Sequence, residues 1–288
     1  MASLLSEPVT ERIIVEMEPR EYCGETHERQ LGSKQDYAVK GMTGELVYIG
    51  VMDGHGNGVN KNKCIDLLRS YNFDEIASSD NPVGMIAAKL QPHDLRASGS
   101  TFTFARINKT EREIEVFNVG DSKTVVIING KIVYTTPEHT FHNVAELKRT
   151  KDLVHSIRPT MAPFPVNEHD VRMLRSDVGL FRNGDFLVPT QSLGHDNVTG
   201  LAPSIEKISY DKTDVVRVIC GSDGFWDMYM EHYEMLPYDT PENLIQLAED
   251  RWKQQWNFYE PGKPPVVTNF GNQFDDIGIA VWDYVEII

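Results

Sequence analysis

The chain is poor in cysteine, in positive charge and in long apolar runs, and each shortage narrows what it can be. Only Cys23, Cys64 and Cys220 occur, far apart and without CxxC spacing. That excludes a disulfide framework and a cysteine-ligated zinc site, and reduced thiols fit a cytoplasmic or nuclear compartment. Lys and Arg number 28 against 43 Asp and Glu, a formal charge of −15. A chain so short of cations, with no basic stripe, is a poor partner for nucleic acid or anionic membranes. No apolar run approaches the roughly 18 residues a membrane span needs. The opening MASLLSEPVTERIIVE lacks a basic segment followed by a long apolar core, so no secretory signal is expected, and no glycine follows the initiator Met for myristoylation. Pro/Gly/Ser-rich linkers, low-complexity stretches and internal repeats are missing too. The 288 residues, 40% hydrophobic and 25% charged, therefore read as one globular domain over 1–288, its first 30 residues an N-terminal extension or edge strand.

What the chain has in quantity is strand. In EIEVFNVGDSKTVVIINGKIVYTT (113–136) two β-branched runs flank Asn129-Gly130, the pair that suits a two-residue type I′ hairpin. With STFTFARI (100–107) upstream, these runs predict an antiparallel meander. Further strands are expected at ELVYIGVM (45–52), VVRVIC (215–220) and IGIAVW (277–282). Helices are fewer. Thr240-Pro241 makes an N-cap and N1 pair, and Leu244, Ala248, Trp252 and Trp256 recur every four residues, predicting an amphipathic helix over about 241–257. Shorter helices are expected at 61–71, 81–90 and 143–151. Blocks of antiparallel strands with helices between them imply α+β layering, with helices outside stacked sheets.

Acids mark the strand ends. Asp53 follows YIGVM, Asp121 follows FNVG, Asp223 follows VICGS, Asp275-Asp276 precede IGIAVW, and Asp36 opens an early strand in GSKQDYAV. Any one of these alone suits a turn or cap. If they share one sheet edge they need countercharge, because two carboxylates about 4 Å apart repel by roughly 4 kcal/mol at an effective dielectric of 20. Divalent metal resolves that conflict, and oxygen ligands without a His or Cys cluster favour Mg²⁺ or Mn²⁺ over zinc. Two such ions about 3.5–4 Å apart, sharing a carboxylate and a water, would serve a metal-dependent phosphoester hydrolase.

These segments also occur in an order that resembles the type 2C (PPM) metal-dependent protein serine/threonine phosphatases. The resemblance runs through QDYAV (35–39), VMDGHGNG (51–58), SGSTFT (98–103), VFNVGDSKTVVI (116–127), TPEH (136–139), QSLGH (191–195), GLAPSIE (200–206), GSDGFWDM (221–228) and FDDIGIAVW (274–282). It implies a four-layer αββα sandwich of two antiparallel β-sheets flanked by helices, with two Mn²⁺ or Mg²⁺ ions at one edge and a third, weaker one. Carried over by motif, Asp53 bridges both ions and the Gly54 carbonyl ligates one of them. Asp223 and Asp275 hold the other ion, and Asp36 acts through water. Asp121 and Asp227 match the third, weaker position. His55 matches the proposed general acid, and its ordinary pKa near 6.5 suits that task. Ser98, Ser100 and Thr101 read as packing and turn residues. The implied activity is hydrolysis of phosphoserine and phosphothreonine in phosphorylated proteins by a monomer.

The chain departs from the family pattern at several points. The position of the usual phosphate-gripping arginine holds Leu31, leaving Arg29 and Lys34 as candidates to hold the substrate phosphate. The usual Glu is Gln35, and the usual Gly-Asp is Gly194-His195. Only 44 residues separate Asp53 from Ser98, so thin helical cover is expected on one face. Residues 141–185, with HSIRPTMAPFPVNEHD, fall where the family carries a variable flap and read as a surface loop. Leu31, Gln35 and His195 keep open a phosphatase-like pseudoenzyme that acts as a binding or regulatory protein. A dinuclear hydrolase of small phosphate or nucleotide substrates is the other alternative.

Overall fold

In the computed structural model the described residues are 24–285, apart from 154–155, 159–162, 166, 168, 174–176, 183–184, 199, 230–235, 237–238, 261 and 272. Cys23 lies outside them, as do most of the N-terminal extension and part of the expected flap.

The first half of the chain builds strands β1 (Glu25–Arg29), β2 (Asp36–Thr43), β3 (Leu46–Gly56), β4 (Ser98–Ser100), β5 (Phe102–Asn108), β6 (Glu113–Val119), β7 (Lys123–Ile128) and β8 (Lys131–Thr135). Helices α1 (Lys63–Arg69), α2 (Phe73–Ala77) and α3 (Pro82–Leu90) fill the gap between β3 and β4. After α4 (Val144–Arg149) come β9 (Ser156–Arg158), β10 (Pro163–Pro165), β11 (Asp170–Met173), β12 (Asp177–Arg182), β13 (Asp185–Leu187), β14 (Leu193–Gly194), β15 (Ser204–Ser209) and β16 (Val216–Gly221). The last elements are α5 (Asp223–Trp226), α6 (Pro241–Lys253), β17 (Trp256–Tyr259), β18 (Val266–Thr268) and β19 (Ile277–Tyr284).

Two sheets carry the architecture. One runs β1-β19-β16-β7-β8, and the other runs β14-β4-β3-β5-β6-β15 with β2 also paired to β3. Alternation along the strands divides the apolar residues into three layers, because successive side chains point to opposite faces. Val51, Ala105, Ile107 and Val116 of one sheet meet Val126, Val218, Cys220, Ala280 and Trp282 of the other between the sheets. Met52, Phe102, Phe104 and Phe117 pack outward against Ile65, Leu68, Ile76 and Ile86 of the α1–α3 layer. On the opposite side Val125, Ile127, Ile219, Ile279 and Val281 pack against Phe225, Leu244, Ile245 and Trp252. The fold is the αββα sandwich the sequence implies, and its central strands read as near-continuous apolar runs because both of their faces are covered.

Several expectations need correction. The 113–136 segment does not continue one meander. The chain leaves one sheet after Val119 and enters the other at Lys123, through a turn with Gly120 at φ 98°. The hairpin itself forms as expected, with Asn129 and Gly130 at φ 52° and 74°. The helix expected to reach 257 stops at Lys253; Gln254 is extended at ψ 170° and Trp256 is buried from strand β17. Cover between Asp53 and Ser98 is not thin, since α2, capped by the Asn72 side chain accepting from the Asp74 amide, joins two expected helices in closing that face. The described parts of 141–185 include α4 and several strands, one of which, β11, runs parallel to β17, so the segment is not a plain loop.

Candidate metal centre

At one end of the sandwich the backbone gathers the aspartates. β3 does not stop at Asp53. It continues through Gly54-His55-Gly56, where β4 replaces β5 as its partner. Asp36 on β2 stands directly opposite Asp53 in the antiparallel register, so the two side chains rise as neighbours from one face. On the facing sheet, β16 delivers Asp223 one residue past Ser222, whose amide donates to the Gly278 carbonyl on β19 at 3.0 Å. Asp275 sits just before β19. Gly224 permits the close approach, because a Cβ there would lie 2.0 Å from the Asp276 carbonyl oxygen and 3.2 Å from the Asp275 Cβ.

The carboxylates crowd one another. Asp36, Asp53, Asp121, Asp227 and Asp275 are all pushed well above the ordinary carboxylate range. In each, removal from water leads and repulsion from the Asp223 carboxylate adds to it. Asp53 is further repelled by Asp36 and Asp275. At Asp227 the surface stays open to solvent, so both its removal from water and its share of the repulsion count for less than at the other four.

The surroundings fix these side chains without neutralising them. Asp36, 1% exposed, accepts from Ser222 Oγ at 2.6 Å through one oxygen, while its other oxygen is buried with no partner. Ser222 Oγ in turn accepts from the Gly278 amide at 3.0 Å. Asp276, 1% exposed, accepts from the Gly32 amide at 2.5 Å and the Gln35 amide at 2.8 Å, clamping the turn that leads into Asp36. The Gln35 side-chain amide donates to the Lys61 carbonyl at 3.2 Å, a bond a glutamate could not make. The Asp53 amide donates to Thr101 Oγ1 at 2.9 Å, and Thr101 Oγ1 and Ser122 Oγ lie 2.6 Å apart. Ser98 and Ser100, likewise buried, direct their hydroxyls at the Lys61 and Thr101 carbonyls.

An all-oxygen donor set, mutual repulsion and an orphaned buried carboxylate oxygen together fit hard divalent cations. Among the described residues, no three His, Cys, Asp or Glu side chains already stand at coordinating positions. The aspartates form a neighbourhood that cations would draw together.

The two candidates for the substrate phosphate fare differently from expectation. Arg29 is committed to α6, with Nη2 2.6 Å from Glu242 and Nε 2.7 Å from Glu249. Leu31 packs against the α6-side core. Lys34 is exposed in a left-handed conformation at φ 64°, and its carbonyl accepts from Arg69. A cation that the sequence reading missed is Lys123, 2.6 Å from Glu138 and 5.7 Å above the Trp226 ring, where it partly offsets the charge at Asp227. Its only sequence signal is its place in the GDSK run. Ser222, Asp276 and Thr101 were also missed as supports, since hydroxyls and a second carboxylate beside strand ends look like ordinary caps.

His55 does not keep its ordinary value. Burial, with His195 adding to it, lowers its pKa to about 3, so the ring is neutral at pH 7. Nearby cations would lower it further. Its Nε2 lies 3.0 Å from Ser192 Oγ and its Nδ1 3.0 Å from His195 Nε2. His195, Asp196 and Asn197 all adopt left-handed φ of 43°, 52° and 53°, directly after Gly194 at 85°. Consecutive non-glycine residues in that region cost about 1–2 kcal/mol each.

The family model for protein phosphatase 2C matches residues 46–233, well over half of the chain. The chain belongs to the protein phosphatase 2C family. The matched span holds Asp53, Asp121, Asp223 and Asp227, while Asp36 and Asp275 lie outside it and join them through the pairing of β2 with β3 and of β19 with β16. No curated protein sequence matches this phosphatase 2C chain significantly. Among solved structures, a sex-determining protein of C. elegans is 15% identical with a TM-score of 0.57, over 90% of this chain and 63% of that one. A bacterial serine phosphatase is 18% identical with a TM-score of 0.54, over 92% and 99% of the two chains. The Mycobacterium tuberculosis serine/threonine phosphatase PstP/Ppp is 16% identical with a TM-score of 0.53, over 92% and 98%. At such identities the likeness establishes the shared fold.

Proposed function

We propose that this phosphatase 2C chain is a metal-dependent protein serine/threonine phosphatase, acting as a monomer on phosphorylated proteins. Two Mn²⁺ or Mg²⁺ ions would be held by Asp53, the Gly54 carbonyl, Asp223 and Asp275, with Asp36 acting through water. A third, weaker ion would sit at Asp121 and Asp227. The observation that supports this most is the crowding of these carboxylates around Asp223, with one Asp36 oxygen buried and unpartnered. Bound there, hard divalent ions neutralise phosphoryl charge and activate water for in-line attack.

The chain's own residues hold the geometry. Asp53 stands opposite Asp36 across β2 and β3, Ser222 and Asp276 fix Asp36, and Thr101 fixes the Asp53 backbone. His55 enters as a neutral hydrogen-bonding ring beside the centre. In hydrolysis of a phosphothreonine peptide with Mn²⁺, Asp53→Asn and Asp223→Asn should each lower kcat at least about 100-fold, and calorimetry should show loss of Mn²⁺ binding. Wild-type turnover in both variants would remove the assignment.

One observation favours a second reading, a phosphatase-shaped binding protein. Arg29 is paired with α6 and Leu31 is packed in the core, so neither is available to grip phosphate. Mn²⁺ binding without turnover of any phosphopeptide or nucleotide would support it.

A further inference from the structure

The turn that carries His195 has no role in the reading above, and its strain invites one. Gly194 and Gly99 are paired across β14 and β4, and both sites are tight. A Cβ on Gly194 would lie 2.4 Å from the Ser98 carbonyl oxygen. A Cβ on Gly99 would lie 2.3 Å from His195 Cδ2 and 2.5 Å from Ser192 Oγ. The two glycines therefore clear the space in which His195 and Ser192 reach His55. The two imidazoles lie nearly in parallel planes, with centroids 4.9 Å apart and planes 16° from parallel.

Proton positions along this chain follow from one acceptor that cannot donate. His195 Nδ1 lies 3.3 Å from the Arg96 carbonyl oxygen, which only accepts, so Nδ1 carries the hydrogen. A neutral His195 then presents a bare Nε2, and His55 Nδ1, 3.0 Å away, must be the donor. That leaves His55 Nε2 bare toward Ser192 Oγ at 3.0 Å, which supplies its hydroxyl hydrogen. In the opposite tautomer of His55, Ser192 would instead donate to the Leu193 carbonyl, 2.8 Å away. Ser192 can serve either arrangement; His195, tied to Arg96, cannot.

We infer that His195 is a positioning residue that holds His55 as its Nδ1–H tautomer, with Nε2 bare toward Ser192. The strained turn has its explanation in that alignment: left-handed conformations persist where surrounding structure enforces them for a purpose. An aspartate at position 195 would accept from the same Nδ1–H, so histidine here reproduces the direction of the hydrogen bond without the negative charge. Only the kinetic consequence rests on the phosphatase reading; the tautomer does not.

The test is ¹⁵N NMR of the imidazoles in the Mg²⁺-treated protein, with kinetics measured in parallel. Wild type should show the His55 proton on Nδ1. His195→Phe should lose that fixed tautomer, and His195→Asp should retain it. Gly99→Ala, which leaves the His195 side chain in place chemically but crowds it, should resemble His195→Phe. If the chain turns over phosphopeptide, His195→Phe should lower kcat about tenfold with little change in KM, and His195→Asp should restore it. A proton on Nε2 in wild type, or an unchanged Nδ1–H tautomer in folded His195→Phe, would overturn the inference. Absence of turnover in every form would count against the phosphatase reading, while the NMR result would still decide the role of His195.

Discussion

Strand β19 has an aspartate near each end, and the fold surrounds them in opposite ways. Asp283, 11% exposed, faces Arg217, whose Nε and Nη2 lie 2.5 and 2.9 Å from its two oxygens. Asp275, at the other end, faces Asp223, Asp36 and Asp227, and repulsion adds to burial in raising its pKa. One aspartate is satisfied by the protein alone and the other is not. An end with its own cation serves stability. The end that keeps unneutralised carboxylates together gives up stability of the metal-free fold.

The largest expected effect breaks the paired end. Arg217 also donates to the Leu236 and Asp239 carbonyls at 2.8 and 2.6 Å, so Arg217→Leu leaves Asp283 and two carbonyls without their donor. Removing one partner of so buried a pair should destabilise the fold by about 3 kcal/mol. Urea denaturation should show a lower midpoint with an unchanged slope, and Mn²⁺ affinity of the folded protein should be unaltered.

At the crowded end the same kind of change should have the opposite sign. Carboxylates whose pKa is raised by folding give the native state extra protons, and that stability is lost as pH rises through the raised values. His55 and His139, both lowered, act only below about pH 6.5, where the unfolded chain takes up their protons. Above that range the histidines no longer contribute, and as pH rises through the raised aspartate values the Tm of the metal-free protein should fall. Asp53→Asn should raise that metal-free Tm. Mn²⁺ at a hundred times its Kd should stabilise wild type by about 2.7 kcal/mol, or roughly 5 °C, and Asp53→Asn much less. A metal-free Tm that rises with pH over this range would mean that the carboxylates do not repel as the geometry requires.

The contrast between the two ends also marks what was legible in the sequence. Asp36, Asp53, Asp121, Asp223, Asp227 and Asp275 were readable because each sits in or beside a strongly patterned strand or a short motif. The hairpin at Asn129-Gly130 was readable for the same local reason, while the αββα layering came from the family resemblance. Partner choice was not. Arg29 and its acceptor Glu249 are 220 residues apart, and His195 and His55 are 140 apart, so only the folded chain brings either pair together. The sheet change after Val119 was hidden because two hairpins in one sheet and in two sheets carry the same alternation. Trp256 was misplaced because a buried strand residue one turn beyond a helix continues the helical spacing by coincidence. In β3, glycines that argue against a strand were overridden by pairing with β4, as tertiary context often overrides propensity.

The smallest expected effect sharpens the comparison by touching neither charge. Ser222 Oγ bridges the two sheets at the acidic end, donating to Asp36 and accepting from the Gly278 amide, whereas at the paired end Arg217 and Asp283 join neighbouring strands of one sheet by charge. Ser222→Ala removes one neutral hydroxyl and leaves Asp36 with both oxygens unpartnered within the protein. On stability alone the loss should be about 1 kcal/mol. That hydroxyl favours the ionised form of Asp36, so its removal should raise the Asp36 pKa further. The pH at which Mn²⁺ binding is half-maximal should then move upward in Ser222→Ala, while Arg217→Leu leaves it in place. Equal behaviour of the two variants in that titration would mean that Asp36 takes no part in holding cations, and that the two ends of the sandwich differ less than their charges suggest.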